Sequence, residues 1–66
     1  MNLTVNGAMR EFAEAISAAQ LLDALGIDAE RTAFELNGRV LARGELAATA
    51  LAEGDSVEVV RFVSGG

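Results

Sequence analysis

Apolar and polar positions alternate from the first residues. Leu3 and Val5 flank Thr4 with period two, the pattern of a half-buried strand. Asn6-Gly7 follows, a pair that suits a two-residue type I′ turn because both central positions need positive φ. The return strand is predicted over residues 8–12. A two-residue turn sets Val5 opposite Ala8 and Leu3 opposite Arg10, which leaves Phe12 on the core face. The period then changes. Leu21, Leu22 and Leu25 form one apolar stripe at helical spacing. Ser17 and Gln20 stand at the N-cap and N3 positions of a capping box, and Ile16 and Leu21 are placed as a hydrophobic staple across it. Gly26 takes the C′ position, with Ile27 able to pack back on Leu22. The predicted helix covers about residues 18–25, two turns that persist only by packing on a sheet.

Beyond the helix, Asp28-Ala29-Glu30-Arg31 reads as a polar connection. Alternation returns over residues 32–36, with Phe34 and Leu36 inward and Glu35 outward. Asn37-Gly38 is a second hairpin signal, and Arg39-Val40-Leu41 returns with Leu41 facing Phe34. Residues 43–51 lack alternation and read as a loop with a short helical turn, Leu46 and Leu51 tucked in. Glu53-Gly54-Asp55 is a turn. The last strand is predicted over residues 56–62, with Val57 and Val59 toward the core and Val60, Phe62 and Val63 outside or beyond the sheet. Exposed apolar residues at that place predict a docking surface. The element order is that of an α+β, β-grasp (ubiquitin-like) domain: a mixed sheet of about five strands with one main helix packed on one face. The first and last strands are expected at its centre, running parallel. The domain is expected over residues 1–61, with residues 62–66 as a flexible C-terminal tail.

Composition narrows the chemistry. Sixty-six residues make one domain with a small core. Cys, His and Lys are all absent, and the five positive charges are Arg10, Arg31, Arg39, Arg43 and Arg61. Thiol and Schiff-base chemistry, the commonest metal ligand and the usual general base are therefore missing. With so few catalytic side chains, the chain is expected to be no enzyme on its own. The formal net charge of −5 argues against a nucleic-acid partner, which selects basic faces. Neither a signal segment nor a membrane span is apparent, so a cytoplasmic location is expected.

The sequence finishes on Val63-Ser64-Gly65-Gly66. Glycine has no Cβ, so a Gly-Gly end is the thinnest peptide available and fits a slot too narrow for side chains. A terminal carboxylate is ionised at neutral pH and is an oxygen nucleophile on that stalk. Five extended residues, 62–66, reach roughly 17 Å, far enough to enter another protein's active site.

Several of these stretches together resemble the small ubiquitin-like sulfur carriers, the ThiS/MoaD family. They are Leu3-Thr4-Val5-Asn6-Gly7, Leu21-Leu22-x-x-Leu25-Gly26, Leu36-Asn37-Gly38-x-Val40, Ala47-Ala48-Thr49-Ala50-Leu51, Glu53-Gly54-Asp55-x-Val57-Glu58-Val59-Val60 and Gly65-Gly66. The ThiS branch, which serves thiamin biosynthesis, is the nearer one. The resemblance implies that a ThiF-type adenylating enzyme binds the globular face and draws the tail into its ATP site. It implies Gly66 as the site of adenylation and thiocarboxylate formation, and Gly65 and Ser64 as tail-threading residues. Sulfur coming ultimately from cysteine, through a cysteine desulfurase, would pass to thiazole synthase (ThiG). No bound cofactor is expected, the ATP being consumed by the partner enzyme. Val60, Phe62 and Val63 are the residues assigned to partner docking, from their face and position. Ser64 departs from the small residue, commonly Gly, that the family carries there, and Ala15-Ile16-Ser17-Ala18 replaces its usual Gly/Thr-containing helix entry. The alternatives are a carrier for molybdopterin synthesis, tRNA thiolation or cysteine synthesis, a ubiquitin-like protein modifier, and a passive β-grasp interaction domain.

Overall fold

Positive φ at Asn6 and Gly7, 49° and 81°, turns the first strand back on itself, and Asn37 and Gly38 do the same at 51° and 85°. These are the type I′ hairpins that the two Asn-Gly pairs predict. The computed structural model describes residues 1–62. Over them run β1 (Asn2–Val5), β2 (Ala8–Glu11), α1 (Ala18–Leu25), a 3₁₀ turn (Ala29–Arg31), β3 (Thr32–Leu36), β4 (Arg39–Leu41), a second 3₁₀ turn (Arg43–Glu45) and β5 (Ser56–Arg61). The sheet order is β2-β1-β5-β3-β4. β1 and β5 are parallel, and the other pairings are antiparallel. This is the β-grasp arrangement, with β5 at the centre. The register sets Val5 opposite Ala8, Leu3 opposite Arg10 and Phe34 opposite Leu41, as the turn lengths require.

The core lies between α1 and one sheet face. Leu3, Val5, Phe34, Leu41, Val57 and Val59 come from the strands, and Ala18, Leu21 and Leu22 from the helix. Leu46 and Leu51 complete it from the long loop, and Phe12, Ile16, Leu25, Ile27 and Leu36 pack half-buried around it. Burying an aliphatic or aromatic side chain of this size contributes roughly 1.5–3 kcal/mol. That burial holds an eight-residue helix that would not form alone.

Both ends of α1 are closed as predicted. Gln20 N–H donates to Ser17 Oγ (3.1 Å), and Ser17 N–H donates to Gln20 Oε1 (2.8 Å). At the other end Gly26, with φ 69°, donates to Asp23 O, and Ile27 N–H donates to Leu22 O, the paired bonds of a Schellman stop. Three details refine the sequence reading. The polar connection over residues 28–31 holds a 3₁₀ turn, Ala29–Arg31, capped by Asp28, whose Oδ1 accepts from Glu30 N–H (2.9 Å). β2 ends at Glu11, although the Phe12 N–H still reaches Met1 O (2.8 Å). β5 ends at Arg61, one residue short of the predicted limit.

Candidate functional site

β5 is the strand from which the C-terminal residues depart, and both hairpin turns hold it. β1 stops at Val5, so the polar groups of Val59 face no strand on that side. Asn6 fills the gap: its Nδ2 donates to Val59 O (3.1 Å) and its Oδ1 accepts from Val59 N–H (2.7 Å). Asn37 does the equivalent at the other end, accepting from Ser56 N–H (2.9 Å) and donating to Asp55 Oδ1 (3.0 Å). Finally, Phe62 N–H donates to Arg31 O (2.8 Å). The backbone is thus pinned up to the last described residue.

Alternation along β5 divides its side chains. Val57 and Val59 are buried, while Val60 is 49% exposed. Phe62, just past the strand, is 59% exposed. Both residues assigned to docking from the sequence are therefore open to a partner. The third, Val63, and the tail residues Ser64, Gly65 and Gly66 lie outside the described residues. The structure adds two apolar positions that the sequence reading passed over, Met9 at 74% and Val40 at 61% exposed. Val40 was findable: it alternates with Leu41, which faces the core.

The sheet surface turned away from α1 carries Val60 with Ala33 opposite it, and next to them Glu58 directly opposite Glu35. Val40 pairs with Glu35 on the far side. Like charges in cross-strand register repel, so this pair is a local cost to the fold set among apolar neighbours. No group of three or more His, Cys, Asp or Glu among the described residues is placed to hold a metal. Nor is any helix there long and apolar enough to cross a membrane.

The sequence matches the ThiS family over residues 3–66. The crystal structure of a thiamine biosynthesis protein, ThiS, from Geobacter metallireducens superimposes with a TM-score of 0.86 at 45% identity, each chain covered in full. An NMR solution structure of a thiamine biosynthesis protein from the same organism gives 0.83 at 45% identity, covering all of this chain and 88% of that one. The chain belongs to the ThiS family. Two curated relatives bear the name thiazole synthase. One, from Paramagnetospirillum magneticum, is 35% identical and the other, from Magnetococcus marinus, 36%, each over 66 residues. The chain spans 20% of the length of either. The family match runs through Gly65 and Gly66, so the Gly-Gly end lies inside the shared pattern.

Proposed function

We propose that this ThiS-family chain is a sulfur carrier of thiamin biosynthesis, a co-substrate rather than an enzyme. The observation that carries the reading is full-length likeness to a solved ThiS, in a family match that includes Gly66. The domain is the handle and residues 62–66 the arm. A ThiF-type enzyme docks on the domain beside Val60, Phe62 and Val63 and takes Ser64, Gly65 and Gly66 into its ATP site. The Gly66 carboxylate oxygen attacks the α-phosphate of ATP, and pyrophosphate leaves. The terminal sulfur of a persulfide, charged by a cysteine desulfurase, then attacks the acyl carbon and AMP leaves. A thiol takes over the other sulfur of the resulting acyl disulfide, releasing the thiocarboxylate. Thiazole synthase is the acceptor. That choice over molybdopterin synthesis or tRNA thiolation is supported by the two relatives, in which a stretch like this one is part of a polypeptide named thiazole synthase.

The chain's own side chains suit such a passenger. It has no Cys to compete for the sulfur and no Lys to be acylated by the activated end. The test is intact mass of the untagged protein after incubation with host extract, ATP and cysteine. We expect the mass change of sulfur for oxygen on Gly66, dependent on ATP and abolished by deleting Gly66. Higher-mass conjugates in its place would transfer the chain to the modifier class, and no change of either kind would leave a passive domain.

A further inference from the structure

Two clefts flank the end of β5 on the helix side of the sheet. One, of about 340 Å³, has Leu25 and Val59 in its wall with Arg10 and Arg61 beside them. The other, of about 310 Å³, is lined by Arg31, Asp28 and Phe62 among others. They adjoin, sharing Ile27 and Arg61. Three of the five arginines of the chain thus meet at one groove, in a molecule of net charge −5. Asp28 is the one carboxylate in the lining, and it sits 3.8 Å from Arg31. Among the described residues no carboxylate lies within 4.0 Å of Arg10 or Arg61, although acidic residues outnumber arginines ten to five. Among the described residues, then, two guanidinium groups beside an apolar wall and Phe62 have no acidic partner.

We infer that this groove seats an acidic, partly apolar segment of the adenylating enzyme, with its carboxylates on Arg10 and Arg61 and its apolar side chains against Leu25, Ile27 and Val59. The inference rests on the sulfur-carrier reading. An enzyme that draws in residues 63–66 closes around Phe62, and the groove is the surface that Phe62 borders. Guanidinium forks bind carboxylates bidentately, which fixes orientation as well as adding attraction. The groove is the basic exception on an acidic protein, so it selects a partner segment of negative charge and steers it during approach.

The test is calorimetric titration of the host's ThiF-type enzyme with the wild-type chain, the double variant Arg10→Glu/Arg61→Glu, and Arg39→Glu/Arg43→Glu. The last makes the same change of net charge outside the groove. All four substituted arginines are exposed, and a circular dichroism melt of each variant checks that it folds. The groove variant should bind about tenfold or more weakly at low salt, and the gap should shrink as salt screens the exposed charges. Its maximal rate of sulfur loading at saturating carrier should stay at the wild-type value, with the half-saturating concentration raised. Wild-type affinity in a folded groove variant overturns the inference and leaves the carrier reading standing. Equal weakening in both double variants also overturns it, because bulk charge would then be the cause. A wild-type chain that neither binds the enzyme nor gains sulfur overturns both.

Discussion

Asn6 shows how much a single side chain carries here. Its φ of 49° makes the turn, and its amide continues the sheet where β1 has ended, bonding both polar groups of Val59. Glycine tolerates the same φ, so Asn6→Gly removes the amide without straining the turn. It leaves the buried Val59 with an unpaired N–H and carbonyl on that side. The expected loss is about 1–3 kcal/mol, read from urea unfolding at unchanged slope. A change below about 0.5 kcal/mol would show that water replaces the amide. The Asn-Gly pair announces the turn plainly; that the amide reaches across to Val59, 53 residues away, does not show in the pair.

At the scale of elements, α1 and the long loop stabilise one another. The loop reads as irregular because residues 43–51 follow neither strand nor helix period. In the fold it works as a lid on the helix start: Ala18 N–H donates to Thr49 O (2.9 Å) and Ala19 N–H to Leu46 O (3.1 Å). Leu51 N–H donates to Ile16 O (3.0 Å), and Ser17 bridges Ala50. The first amides of the helix, which have no partners within it, are thereby satisfied. Ser17→Ala breaks the capping box inside this arrangement and should cost about 1 kcal/mol. Because loop and helix start share bonds, amide exchange should quicken at Ala18, Ala19 and Leu51 together. Quickening confined to the first helical turn would show that the two elements open separately. The caps and the apolar stripe of this helix were legible in sequence because they depend on neighbours three or four residues apart. The loop's partners were not, because they lie about 30 residues away.

For the whole molecule, the sheet separates two tasks. One face holds α1 and the core, and the other presents Val60 and Val40 around the opposed Glu35 and Glu58. Replacing Val60 and Phe62 together by alanine should change unfolding stability by about 0.5 kcal/mol or less, since both are exposed. Binding to the proposed adenylating partner should weaken about tenfold or more if these residues anchor the contact. Undiminished binding would move the contact elsewhere on the domain. The pairing of Glu35 with Glu58 fits a surface arranged for something other than stability, and Glu58→Gln should raise the melting temperature by relieving the repulsion. A lower melting temperature would mean that the two carboxylates do not repel across the strands.

The five strands, the capped helix, both hairpin turns and the inward residues were all open to reading along the chain. Each is set by short-range periodicity and by φ requirements that particular residues satisfy alone. The family resemblance was legible too, because it rests on the order and spacing of such local signals. Folding decided what depends on distant segments meeting. It set β5 between β1 and β3, brought Asn6 and Asn37 onto that strand, closed the helix start with the loop and opposed Glu35 to Glu58. It also gathered Arg10, Arg31 and Arg61 from three separate stretches to one groove. Charges spaced 21 and 30 residues apart carry no periodic signal, so only the closure of the sheet makes them neighbours.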